Sequence, residues 1–245
     1  MMRFRAIITV AATILAGCAS RESSARPASS DSAAGRTNAT PLTTTPVVKA
    51  ASTDTAGDAM RQRADRARIL GDPAAQVWMV EVSDFQCPFC ARFHRETFSE
   101  IRTAYITPGK VKLAYVNFPL EMHAHAWPAA EAALCAGALG KYWEMHNALF
   151  TTQETWAKLP NAESTFDSLA RSVGVPAAAY RECVGDHVMR PLVQQDFDRS
   201  KQSGVASTPT FFLGDTAILG AYPTPVFRRV LDSAVARAAR GARSP

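Results

Sequence analysis

The 245-residue sequence has no run of about 20 apolar residues, the length a helix needs to cross the hydrocarbon of a bilayer. Its longest, the 11 largely apolar residues from Ala6 to Ala16, is too short for that. Cysteine is scarce at five residues, and there is a single C-x-x-C spacing, which excludes a zinc site built from two such pairs. No dense basic block is present. The 27 Lys and Arg are scattered among 22 Asp and Glu, for a net charge of +5, which argues against a nucleic-acid partner. Between residues 19 and 58 there is no aromatic residue, no Ile and no Met. Such a stretch cannot bury enough apolar surface to offset the entropy of ordering it. No internal repeat is visible. What remains is 47% hydrophobic and 20% charged, an ordinary globular composition.

The first 17 residues read as an address. Arg3 and Arg5 form a short basic start, and the apolar run that follows suits the core of a secretory signal. It ends in Leu15-Ala16-Gly17-Cys18, which resembles the bacterial lipobox. Cleavage there would leave Cys18 as the lipidated N-terminus; the alternative is a plain signal cut nearby. Ala19 after the cysteine, by the sorting tendency of such lipoproteins, favours the outer membrane of a double-membraned cell. Residues 18–58 are then a tether spanning roughly 35 Å as a flexible chain.

The folded part is expected over residues 59–245. Residues 59–70 carry a helical pattern ended by Gly71-Asp72-Pro73. Val77 to Val82 is a near-continuous apolar run, as in a strand covered on both faces. Cys87-Pro88-Phe89-Cys90 follows and opens a helix to about Tyr105. Val111 to Phe118 reads as a second strand, making a right-handed β-α-β unit. From about 123 to 203 the apolar period is helical throughout. Strand patterns return at 210–213 and 216–219 around the turn Gly214-Asp215, and a last helix runs from about Pro223 to Arg240.

The chemistry concentrates in one turn. Thiolate is the reactive form of cysteine, and a helix N-terminus favours negative charge. Cys87 is therefore expected to be the exposed attacking thiol, with Pro88 at the first helical position and Cys90 one turn in, able to resolve a mixed disulfide. Glu81, between Val80 and Val82, is expected to be buried, with its pKa raised by desolvation, and to exchange a proton with Cys90. An edge strand with Glu81 in solvent is the alternative.

Val80 to Cys90 (Val-Glu-Val-Ser-Asp-Phe-Gln-Cys-Pro-Phe-Cys), Gly204 to Phe212 (Gly-Val-Ala-Ser-Thr-Pro-Thr-Phe-Phe), Ala130 to Cys135 and Tyr142 to His146 stand in order along the chain. Together they resemble the DsbA-like thioredoxin-fold oxidoreductases over about residues 70–240. The resemblance implies an α/β thioredoxin fold with an inserted all-helical domain. It implies a cis Thr208-Pro209 bond facing the cysteines, with Thr208, Pro209, Pro88 and Phe89 receiving the substrate. It also implies exported protein substrates with thiols or disulfides, no cofactor, and a membrane redox partner that is DsbB-like or of the vitamin K epoxide reductase type. Two departures stand out. Phe89 occupies the place where strongly oxidising members carry His, and Thr208 rather than Val precedes the proline.

With Cys18 lipidated and Cys87 and Cys90 the redox pair, Cys135 and Cys183 are left over. In an oxidising compartment they are expected to form a structural disulfide; two buried free thiols are the alternative. His123-x-His125 belongs to a polar loop near the rim of the site, His146 to the packing and His94 to a solvated helix face. Trp78, Trp127, Trp143 and Trp156 suit core or groove positions. The function expected is thiol–disulfide exchange in the cell envelope, with oxidase favoured over reductase or isomerase. The alternative is a metal carrier using Cys87, Cys90, His123 and His125, a Cys₂His₂ set.

Overall fold

A computed structural model describes residues 55–241. The expected signal segment, Cys18 and most of the expected tether lie outside the described residues. Helix α1 (Thr55–Ala67) begins four residues inside the expected tether and stops before residue 70. Ile69–Leu70 is not its last turn but a two-residue strand, β1, paired antiparallel with Leu113 and Ala114. Arg68 decides this break. Its buried guanidinium pairs with the buried carboxylate of Asp196 and donates to the Tyr115 carbonyl at 3.3 Å, which turns the chain onto the sheet edge.

Strands β2 (Val77–Ser83) and β3 (Val111–Asn117) are parallel and joined through a helix, α2, over 88–106. Within α2, α-helical segments (Pro88–Phe93 and Ser99–Ile101) alternate with wider π turns (His94–Phe98 and Arg102–Ile106). Six helices follow: α3 (Ala126–Ala138), α4 (Tyr142–Thr151), α5 (Gln153–Trp156), α6 (Glu163–Ser172), α7 (Ala177–Gly185) and α8 (Arg190–Gln202). The hairpin β4 (Thr210–Leu213) and β5 (Thr216–Leu219) and the helix α9 (Thr224–Gly241) complete the fold. The sheet order is β1-β3-β2-β4-β5, so β2 is central, with Glu81 opposite Tyr115 on one side and Phe211 on the other. Among the described residues no helix is long and apolar enough to cross a membrane.

One face of the sheet buries Met79, Leu113, Phe211 and Leu213 against Phe93, Ile101, Phe227 and Leu231 of α2 and α9. The other face is covered by Val205, Phe118 and Phe197 near the C-terminal end of β2. That cover stops short, and Trp78 is 41% exposed with Lys112 Nζ 4.5 Å from its ring centre. The double cover read from Val77 to Val82 therefore holds only for the half of the strand that leads to the cysteines.

The helices between β3 and β4 have their own core, built on α3. Eleven of its thirteen residues are buried. A helix apolar on all sides must be surrounded, and its alanines let neighbours approach closely. Cys135 of α3 and Cys183 of α7 form a disulfide, with an S–S distance of 2.00 Å and both residues buried. They are 48 positions apart. Chain entropy assigns a loop of that length up to about 4 kcal/mol. Cys135→Ala with Cys183→Ala should therefore melt lower by several degrees in a thermal scan. Disulfide-exchange turnover should persist at 25 °C. Lost turnover with unchanged melting would mean that this pair relays electrons.

Candidate active site

The Cys87–Cys90 turn sits where the inserted helices meet the sheet, and both cysteines pack in the insertion's core alongside Phe85, Tyr115 and Phe150. Cys87 occupies the N-cap of α2 with extended backbone (φ −69°, ψ 123°), and Pro88 fills the first turn. Both thiols are free and buried. Cys87 is only 3% exposed, so the expectation of an exposed attacker needs correction. The reason is the loop before β4, which folds over it. The Thr208-Pro209 bond is cis, and Cys87 Sγ lies 3.5 Å from the Thr208 carbonyl oxygen.

The two sulfurs are electrostatically unlike. The Cys90 thiol hydrogen-bonds the Cys87 sulfur, and this is the largest influence holding Cys87 down, to about 6. Thr208 and the backbone N–H groups of Cys90 and Phe89 act in the same direction, against the cost of burial. The Thr208 hydroxyl is buried with no other hydrogen-bond partner, so it is available to the ionised sulfur. Cys90 is pushed well above the ordinary thiol range, first by burial and then by its anionic neighbour. Phe89 is 54% exposed and adds only its main-chain N–H. No side chain at position 89 adds a charge or a donor to Cys87; its donors come from Cys90, Thr208 and the first-turn backbone.

Glu81 is 2% exposed on central β2, and burial pushes its carboxyl up to about 8, against the Ser83 hydroxyl. Strand alternation puts residues 81 and 83 on one face. Ser83 lies against Glu81, Cys90 and Tyr115 and is committed to none of them. A neutral carboxyl thus sits one hydroxyl away from the buried thiol.

Three further residues hold the turn, and no role was read for them from the sequence. Asp84 Oδ1 accepts from Gln86 N at 2.7 Å, and its Oδ2 accepts from Leu120 N at 2.9 Å. Gln86 Oε1 accepts from His125 N at 2.6 Å. Gln153 Nε2 donates to the carbonyls of Phe85 (2.6 Å) and Cys87 (2.9 Å). Asp84 and Gln86 stand inside the quoted motif and Gln153 is a polar residue in a helical block, signals that do not reveal their partners. His94 is not on a solvated face either. It stacks between Phe98 and Phe150, bonds Asn147 Oδ1 at 3.2 Å, and burial lowers its pKa. The rings of α4 cover that face of α2. His146 is fully buried among Phe85, Tyr115 and Trp143.

A groove of about 470 Å³ opens beside the cysteines, lined by Phe89, Arg92, Ser207, Thr208, Leu219 and Tyr222. A cavity of about 500 Å³ lies in the insertion near Glu131, Phe166 and Tyr180, and no residue of the cysteine turn lines it. His125 Nε2 is turned to the Leu159 carbonyl at 2.7 Å and His123 to Asp84. Among the described residues no three His, Cys, Asp or Glu side chains converge to hold a metal ion.

A cysteine pair at a helix start, with a cis-proline loop against it and a buried carboxyl beneath, defines a protein of the thioredoxin-fold class. Residues 63–233 match the thioredoxin family, and the chain belongs to it. Its backbone resembles alpha-DsbA1 of Wolbachia pipientis (TM-score 0.65, 23% identity, covering 72% of this chain and 94% of that one). It also resembles BdbD of Bacillus subtilis (TM-score 0.63, 23% identity, 69% and 92%). The fold is therefore that of the DsbA-like members, helical insertion included. In sequence, the Na(+)/H(+) antiporter NhaA 3 of Salinispora tropica is 30% identical over 175 residues, which are 71% of this chain and 26% of the antiporter. A Rickettsia felis protein named "Putative protein-disulfide oxidoreductase" is 27% identical over 150 residues, 61% of this chain and 53% of that protein. The chain thus spans about a quarter of the antiporter and about half of the Rickettsia relative.

Proposed function

We propose that the protein is a thiol–disulfide oxidoreductase that forms disulfides in exported proteins. The observation that carries this reading is the geometry of the pair: Cys87 caps α2 with its sulfur 3.5 Å from the carbonyl oxygen of Thr208 in the cis Thr208-Pro209 loop, and Cys90 lies fully buried one turn in, an arrangement that lowers the Cys87 pKa and raises that of Cys90. A stabilised Cys87 thiolate stabilises the reduced enzyme, which makes the disulfide form an oxidant.

In the proposed cycle a substrate thiolate attacks Cys87 Sγ of the oxidised pair. The Cys87–Cys90 bond breaks, and Cys90 leaves as a thiolate that takes the proton held by Glu81. A second substrate thiolate then attacks the substrate sulfur of the mixed disulfide. Cys87 departs as a stable thiolate, the substrate gains a disulfide and the enzyme holds two electrons. Thr208 and Pro209, with Pro88 and Phe89 at the mouth of the groove, hold the extended substrate backbone. A quinone-coupled membrane oxidase, DsbB-like or of the vitamin K epoxide reductase type, reoxidises the pair. No site in the described residues favours the metal-carrier alternative.

Equilibration with glutathione buffers tests the direction. An oxidase should poise above about −200 mV, near the strongly oxidising end of the thioredoxin-fold range. A value near about −270 mV would place it with the reductants. We further propose that Cys18 anchors the protein by lipid in the cell envelope, at the outer membrane. Mass spectrometry of the mature protein should find an acylated Cys18, and Cys18→Ala should release the protein in soluble form. An unmodified N-terminus would refute the anchor.

A further inference from the structure

The Cys87 turn contains a charge pair that the exchange cycle above does not use. Asp84 stands three residues before Cys87, and its backbone carbonyl accepts from Cys87 N–H at 3.1 Å. Its side chain is fully buried. A carboxylate buried in the same turn, if its charge is not offset, disfavours a second negative charge there. Its two backbone donors, Gln86 N and Leu120 N, are dipoles and carry no net charge. The third partner is His123, whose Nδ1 lies 2.7 Å from Asp84 Oδ2. His123 comes from the loop between β3 and α3, and its side chain is 14% exposed.

We infer that His123, as an imidazolium paired with Asp84, is a positioning residue that cancels the Asp84 charge beside Cys87 and so sets the oxidising strength of the pair. It supplies from the β3–α3 loop the positive charge that Phe89 cannot supply from within the motif. The inference rests on the redox reading of Cys87 given above.

The electrostatics of the loop agree. Asp84 is the first influence raising the His123 pKa, burial opposes it, and the Cys87 thiolate adds to the rise. Charge stabilisation is reciprocal: if the thiolate favours the imidazolium, the imidazolium favours the thiolate. Asp84 and Cys87 are the titratable groups set against the ring. Glu121 on the same loop is exposed, and His125 is committed to Leu159.

The test follows thiolate absorbance at 240 nm against pH in the reduced full-length protein, alongside equilibration with glutathione. Near-UV circular dichroism checks that each variant is folded. His123→Gln keeps a hydrogen-bonding group at the loop but loses the charge. It should raise the Cys87 midpoint by about one unit and make the pair about tenfold less oxidising, or about 30 mV. His123→Lys restores a cation and should return both values toward wild type. An unchanged midpoint in His123→Gln would overturn the inference. Equal rises in His123→Gln and His123→Lys would also overturn it, because the histidine would then act by loop geometry alone. The thiolate titration is readable even if the wild-type pair exchanges with no protein substrate. That second failure would remove the proposed function and leave the charge pairing standing.

Discussion

Cys87→Ser is expected to reduce both insulin reduction and oxidative refolding to the uncatalysed rate, while Cys90→Ser accumulates mixed disulfides with its substrates. The two outcomes differ because the two sulfurs do. Cys87 collects the hydrogen bonds of the Cys90 thiol, of Thr208 and of the first-turn N–H groups, which hold it at about 6. It is therefore the first of the two to ionise to thiolate, the nucleophilic form. Cys90 is completely buried and kept protonated by desolvation and by its neighbour's charge. Removing Cys87 removes the sulfur that lies against the Thr208-Pro209 loop. Without Cys90 no internal disulfide can form; the lone Cys87 thiolate attacks a substrate disulfide, one substrate thiolate leaves, and no neighbouring thiol is present to break the resulting intermolecular bond. Alkylation with iodoacetamide at pH 6 separates them further: Cys87 should be labelled first, and Cys90 only after unfolding. Equal labelling of both cysteines in the native protein would contradict the assigned asymmetry.

Relative to Glu81→Gln, the wild-type protein is expected to lose stability steadily as pH rises from about 4.5 to about 8. In the unfolded chain Glu81 gives up its proton near 4.5; in the folded protein, burial on the central strand holds it to about 8. Between those values the native state binds one proton more than the unfolded state. Raising the pH therefore favours unfolding by about 1.4 kcal/mol per unit. Over the whole window the penalty approaches about 5 kcal/mol, a large fraction of the 5–15 kcal/mol typical of a domain. Below about 4.5 both states are protonated, and above about 8 both are ionised, so the profile should flatten at each end. Urea unfolding of both proteins at several pH values measures the difference, and shared titrating groups cancel. Parallel profiles would mean that Glu81 ionises normally. The same substitution should slow the departure of Cys90, since an amide offers no proton to the leaving thiolate.

Much of the site is readable from the chain because its signals are local. An apolar strand, a C-x-x-C pair and proline at the first helical turn lie within fourteen residues, from Val77 to Cys90. Glu81 interrupts an otherwise apolar run, and a carboxyl there is conspicuous without any structure. The boundaries between elements are less legible. Ile69 and Leu70 continue a helical pattern, yet Arg68 finds Asp196 far along the chain and the backbone turns onto the sheet. His94 has polar neighbours in sequence, but Phe98 and Phe150 enclose it in space.

The sequence by itself determined the main strands and helices from β2 onward, the C-x-x-C turn at a helix start and, through its motifs, the thioredoxin-fold class. These depend on periodicity, on helix-start chemistry and on motifs within a few residues of one another. Only the tertiary structure decided that Cys87 is nearly covered, that Thr208 closes over it, and that Gln153, Gln86 and Asp84 fasten the turn to the inserted helices. It also decided that His123 faces Asp84. The physical reason is separation along the chain. Each of these contacts joins residues more than thirty positions apart, and a buried polar atom takes whichever partner the packed core brings to it.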